Sequence, residues 1–234
     1  MWKNNLRIMN KKLKIGDIFY LKIREQEKYV FGRLLFDVKK QYHKIVDVNN
    51  LPKNYFPYFL MFYADCQLVE MYDGIFDKIE DFKDTSNVII PRVLSKPIDS
   101  LKWNALDWGI IGNQKVDYTK IEFPENLNLS FPVKILDRGE LSLITKIKGQ
   151  EAEDMGYSSN MMVPLTVADA SLYFQNRADL ISENKRWPSY LIENDLCYNP
   201  ELRKKIYQDL GLDPDKRYYE LSKEMGFDLA RFYK

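Results

Sequence analysis

The stretch KIGDIFYLKI, residues 14–23, limits the fold more than any other part of this 234-residue chain. Its apolar positions recur every second residue, the period of a β-strand with one buried face. Ile15, Phe19, Leu21 and Ile23 share that face, and so does Asp17. YVFGRLLF, residues 29–36, follows across the polar link REQEK and also sets a glycine and then a charge, Gly32-Arg33, into an apolar run. Two strands joined this way read as a hairpin. A register symmetric about the link places Ile23 opposite Tyr29, Phe19 opposite Arg33 and Asp17 opposite Leu35. Asp17 and Arg33 then lie diagonally on one face. A lone charge among apolar neighbours is costly, so an Asp17–Arg33 ion pair with a structural role is expected. Gly16 and Gly32 would face the other way and admit a close approach of another segment or a bulge.

Further strands are expected at residues 42–48 (weaker), 58–72, 87–94, 131–137 and 141–149, and WNALDWGIIGNQK leads into further strand-like pieces. The run YFLMFY is apolar at consecutive positions, as in a central strand covered on both faces. FDKIEDF reads as a short amphipathic helix or turn. The second half changes character. VPLTVADASLYFQNRADLI offers Thr166 as an N-cap with Asp169 three residues on. In NPELRKKIYQDLG, Asn199 can cap, Pro200 takes the first helical position, and Gly211 ends the helix. Its apolar stripe is Leu202, Ile206 and Leu210. A last, broken helix is expected toward the C-terminus. Strands first and helices after make an α+β chain. Its N-terminal sheet is expected to be mostly antiparallel and strongly twisted or barrel-like, with helices concentrated in the C-terminal third. Residues 1–160 would form the β-rich region and residues 161–234 a helical region packing on it, within one continuous domain.

The net charge of +1 gives no basic excess of the kind duplex binding requires, so nucleic acid is disfavoured. Two distant cysteines, Cys66 and Cys197, form no disulfide framework and favour a reducing compartment. No signal peptide and no bilayer-spanning run is read, so a cytoplasmic location without membrane contact is expected. The single histidine, His43, has no partner for a zinc site or a triad, and no phosphate loop or nucleophile elbow is present. No catalytic residue, cofactor or metal is therefore assigned. The densest acidic stretch, Glu151, Glu153 and Asp154, would suit either a solvated loop or a surface for a basic partner. Trp103 and Trp108, in LKWNALDWG, are candidate anchors for partner binding or plugs at the end of the β-core, and Trp187 is a further candidate.

The order of LKIGDIFYLKI, KYVFGRLLFDV, FLMFYADC and VIIPRVLSKPIDSLKWNALDWGIIGN resembles the immunity protein 26 family of bacterial polymorphic-toxin systems. There a Gly-Asp strand is followed by a Gly-Arg strand, then by a run with a proline and a Trp-to-Gly segment. The resemblance spans residues 13–113 and leaves the helical half outside. It implies a binding protein that neutralises a cognate protein toxin by stoichiometric contact, without enzymatic residues. Two other readings stand beside it. One is a small β-barrel-like adaptor for nucleic acid or peptide. The other is a carboxylate-dependent enzyme that gathers Asp17, Asp65 and Glu70 in a cleft.

Overall fold

The computed structural model describes residues 12–24, 26–47, 65–83, 86–158, 161–181 and 188–234. Its strands are β1 (Asp17–Lys22), β2 (Tyr29–Asp37), β3 (Gln67–Tyr72), β4 (Val88–Ser95), β5 (Trp108–Asn113), β6 (Glu125–Ser130), β7 (Val133–Arg138), β8 (Leu141–Lys148) and β9 (Met161–Met162). Its helices are α1 (His43–Ile45), α2 (Gln150–Asp154), α3 (Pro164–Phe174), α4 (Tyr190–Asn194), α5 (Pro200–Asp209) and α6 (Tyr218–Glu224). One sheet has the order β5-β1-β2-β3-β4-β9 and the other β6-β7-β8. Among the described residues every strand pairing is antiparallel except β4–β9. The fold is α+β, with strands mostly N-terminal and helices mostly C-terminal. Among the described residues the sheets stay open and do not close into a barrel.

The opening hairpin forms, but one residue away from the symmetric register. Ile23 donates to the Lys28 carbonyl at 2.8 Å, so Lys22 pairs with Tyr29, Phe19 with Gly32 and Ile18 with Arg33. A one-residue slip turns every side chain of one strand to the other face. Arg33 therefore shares a face with Ile18 while Asp17 points to the opposite side, and the expected Asp17–Arg33 pair does not form. Arg33 instead meets Glu70, directly opposite on β3, at 2.8 Å. Asp17 accepts from the Lys14 amide and from Asn113 Nδ2, both at 2.8 Å. The glycines do serve close approach. Gly32 lies opposite Phe19, and a Cβ there would stand 2.7 Å from the Phe19 ring and 2.6 Å from the Glu70 carbonyl oxygen. Gly16 has φ +87°, a conformation that favours glycine.

This sheet is covered on both faces. Phe19, Leu21, Val30, Leu34, Val69 and Met71 pack with Val167, Ala168 and Leu172 of α3. On the other side Ile18, Phe31 and Tyr72 pack under Phe76 and Phe82, and the Phe31 and Phe82 rings stack at 4.3 Å. β3 is buried at all six positions, as a central strand requires, while residues 58–64 lie outside the described residues. FDKIEDF contains only a 3₁₀ turn, Ile79–Asp81.

Residues 42–47 are not a strand. Asp37 caps a helical segment by accepting from the Lys40 amide at 2.8 Å, and Gln41 Oε1 accepts from the Asp37 amide at 2.8 Å. The chain winds through Val38–Tyr42 into α1, and this segment buries Tyr42. Side-chain capping thus overrides the β preference of Tyr, Ile and Val. α3 starts at Pro164 rather than after Thr166, because proline's fixed φ and missing N–H suit the first turn and need no side-chain cap. α5 begins where expected: Asn199 accepts from the Leu202 amide at 3.2 Å, and Gly211, at φ +70°, follows its end. The C-terminal helix is indeed broken, into α6 and the 3₁₀ turn Leu229–Phe232. Phe36 of β2 meets Phe123 at 5.7 Å and Phe232 at 5.4 Å, so the last turn shares one core with the first sheet.

Gly32 and Gly112 give opposite expectations. Gly32→Ala forces a methyl against backbone and should lower stability by about 1–3 kcal/mol. At Gly112 a Cβ would meet nothing within 4 Å, so Gly112→Ala should change stability by no more than about 0.5 kcal/mol. Urea unfolding of both variants measures the contrast, and equal effects would contradict this packing.

Candidate functional site

A dense network of charged side chains is buried between β6, β7 and α5. Glu125, fully buried, opens β6. Its carboxylate accepts from Arg203 Nε and Arg203 Nη2, each at 2.8 Å, and from the Tyr207 hydroxyl at 2.8 Å. Arg138 Nε stands 3.3 Å away and its guanidinium extends to Glu122. The Glu125 amide donates to Asp195 Oδ1 at 3.0 Å, and Asp195 Oδ2 meets Arg92 Nε at 3.2 Å. Burial alone would raise the Glu125 carboxyl. The Arg203 hydrogen bonds and the charges of Arg138 and Arg203 outweigh it and hold the group below the usual range. For Asp195 burial wins over Arg92, and the carboxyl is raised. A hollow of about 530 Å³ lies beside this network, lined by Arg92, Glu122, Arg138, Arg203, Lys216 and Arg217 among others. Arg92, Arg138 and Arg203 are each paired with a carboxylate there, which is the arrangement of a structural ion-pair network.

The three carboxylates of the enzyme reading are held apart by separate partners. Asp17 binds Asn113, Asp65 pairs with Lys39 at 2.7 Å, and Glu70 pairs with Arg33. Among the described residues no group of three His, Cys, Asp or Glu side chains is placed to hold a metal ion. Nor, among them, is any helix long and apolar enough to cross a membrane.

The exposed face around residues 101–113 is different. Trp103 sits in a turn at 37% exposure, with Lys96 Nζ and Lys102 Nζ 5.1 Å and 4.9 Å from its ring centre. Leu101 beside it is 82% exposed. Trp108 is half-buried and packs on the inner core of the six-stranded sheet, so it joins the anchoring and plugging roles. It also begins β5, the edge strand, whose sequence WGIIGN carries no charge and no proline. Among the described residues no strand pairs with its outer side, so this edge offers backbone groups without the usual protecting residues.

Which groups are free follows from the ladder. Lys22 donates to the Asp107 carbonyl at 2.8 Å, so those two residues form a hydrogen-bonded pair. Bonded and non-bonded pairs alternate in an antiparallel ladder. Leu21–Trp108 and Phe19–Ile110 are then non-bonded pairs, and the N–H and C=O of Trp108 and Ile110 point away from β1. On the far side, Gln114 donates to the Gly16 carbonyl at 2.9 Å, which turns the Asn113 backbone groups outward as well.

Of the other predicted residues, Glu151, Glu153 and Asp154 lie exposed on α2, directly after β8 of the second sheet. Trp108 begins the edge strand of the first sheet and Trp103 precedes it in a turn, so the acidic residues follow one sheet and these two tryptophans lead into the other. Trp187 lies outside the described residues. Sequence reasoning passed over Ile110 and Ile111. Their signal was the uncharged run between Asp107 and Lys115, whose meaning depends on being at an edge. No family model matches the chain, and no curated protein or solved structure matches it either.

Two measurements test the electrostatics. Glu125→Ala leaves Arg138 and Arg203 without their shared partner and should cost about 3–5 kcal/mol in denaturant unfolding. A loss below about 1 kcal/mol would mean the network is not closed as described. Asp137, on β7, is buried with Asn128 and Ser142 as its hydrogen-bond donors, and burial pushes its carboxyl from 3.8 up to about 7. The folded state therefore binds this proton more tightly than the unfolded state. The stability from this group is full below the ordinary carboxyl range and is lost as pH rises through about 7. Relative to Asp137→Asn, the wild type should lose stability on the order of a few kcal/mol between about pH 4 and about pH 8. Parallel stability–pH curves for the two proteins would refute the assignment.

Proposed function

We propose that this chain is an immunity protein, which binds and neutralises a cognate bacterial toxin by stoichiometric protein–protein contact. The observation that carries the proposal is the open surface of residues 101–113: an exposed tryptophan turn running into an uncharged edge strand. It lies within the segment that resembles the immunity protein 26 family. Inhibition by binding needs a preorganised surface, and the described interior supplies rigidity through paired charges and two covered sheet faces. A stable complex would bury on the order of 1,200–2,000 Å² in total, with aromatic anchors inside a polar rim. Trp103 fits the anchor role because it is exposed while the cations of Lys96 and Lys102 hold its ring in place.

Deletion of the gene in its native host should sensitise cells to sister cells that deliver the toxin. The protein should also co-purify in equimolar amount with the product of a neighbouring toxin-like gene. Trp103→Ala should fold normally and weaken that complex by about 2 kcal/mol, as for a central aromatic anchor. Finding neither a dedicated partner nor any sensitivity would end the immunity reading, and salt-sensitive retention on heparin or DNA would favour the adaptor reading instead.

A further inference from the structure

Two hollows open beside the C-terminal end of β5. The smaller, about 520 Å³, is lined by Ile18, Phe82, Lys83, Ile111 and Gly112 together with Asn113 and Gln114. The larger, about 840 Å³, is lined by Ile15, Lys115, Val116, Tyr118, Phe232 and Tyr233 with Asn113 and others. They occupy opposite faces of the same edge. Gly112 pairs with Ile18 and shares its face, whereas Asn113 pairs with Asp17 and shares the other. Between them runs the backbone whose N–H and C=O groups at Ile110 and Asn113 turn outward. An added strand points alternate side chains to alternate faces, so it would deliver one side chain to each hollow while its backbone bonds the edge.

The chemistry of the hollows selects the occupant. Lys83 and Lys115 are exposed, one in each hollow, and neither has an ion-pair partner among the described residues; the one acidic side chain in the larger hollow, Asp117, is engaged by Lys120 and Thr119. The larger hollow adds an apolar and aromatic wall from Val116, Tyr118 and Phe232. The ladder to β1 shifts register at Ile111, a bulge that restricts any added pairing to a short segment. We infer that β5 receives a short extended segment of a protein partner, which carries carboxylates toward Lys83 and Lys115 and a large apolar side chain into the larger hollow. A second copy of this chain fits less well. Its own β5 has no carboxylate to offer the lysines, and two bulged edges would interrupt each other's pairing. The inference rests on the proposed function only in taking the natural partner to be a protein.

A display library of random linear peptides, panned against the whole chain, tests the mode without knowledge of the partner. Enriched peptides should alternate apolar and acidic residues and slow amide exchange at Ile110. Ile110→Pro removes an outward N–H but no bond to β1, and Gly112→Glu places a carboxylate beside Lys83 in open space. Each variant should weaken those peptides at least about tenfold with the wild-type melting temperature retained. Should either fail to fold, reversal of the exposed Lys83 and Lys115 to Glu serves the same purpose. No enrichment, or peptides that bind the variants as well as the wild type, would overturn the inference. So would a dimer that Ile110→Pro dissolves, because the occupant would then be a second copy. A toxin complex formed equally by wild type and Ile110→Pro refutes the strand mode and leaves the immunity reading standing. Peptide binding as described without any toxin partner does the reverse.

Discussion

Glu125 is the joint on which the arrangement of this protein turns. Its backbone belongs to the three-stranded sheet, its carboxylate is taken by Arg203 and Tyr207 of α5, and its amide is fixed by Asp195 between α4 and α5. Asp195 in turn holds Arg92 of β4, which belongs to the six-stranded sheet. One buried acid and its neighbour thus connect both sheets to the helical part. A buried charge pair contributes little net stability against an apolar alternative, but an unmatched buried charge is severely penalised. Alternative packings that separate these partners are therefore disfavoured.

The rest of the structure treats its sheet edges unequally. In β6 the outward amides of Glu125 and Leu127 are taken by Asp195 and by the Tyr157 carbonyl. β8 is broken by a register shift and presents Lys146 and Lys148. β9 is only two residues long. Among the described edges β5 alone combines an exposed position with an uncharged sequence, and the bulge at Ile111 is what interrupts it. Edges invite pairing with other chains, so leaving one unguarded beside an exposed tryptophan turn has a physical meaning that a packed strand lacks. The proposed binding role and the strand-addition mode draw on this asymmetry.

Much of the fold was legible in the chain. The hairpin of residues 14–36, the strand runs at 87–94, 131–137 and 141–149, and the helix capped by Asn199 follow from local periodicity and capping. The errors were local as well. At residues 42–47 the β preference of Tyr, Ile and Val lost to caps from Asp37 and Gln41, which only the neighbouring strand's end could position. At Thr166 the proline two residues earlier supplied a better start. The Asp17–Arg33 pairing failed through a slip of one residue in the hairpin link, enough to send the two charges to opposite faces. The candidate site was less legible. Trp103 and Trp108 stand out in the sequence as large aromatics near a turn, yet the edge they introduce and the lysines beside it come from segments far apart in the chain.

The sequence by itself determined the α+β class, the order of strands before helices and the close-packed glycines of the first hairpin. Each is a matter of local pattern: period two, period three to four, and the space that a missing side chain leaves. Tertiary structure alone decided which strand lies at an edge, which charges are partners and which surface is open. Those outcomes depend on pairs such as Arg33–Glu70, Glu125–Arg203 and Arg92–Asp195. No periodicity relates such residues. They meet only when burial of both sheet faces has fixed the register, and the cost of an unpaired buried charge then chooses among the few partners within reach.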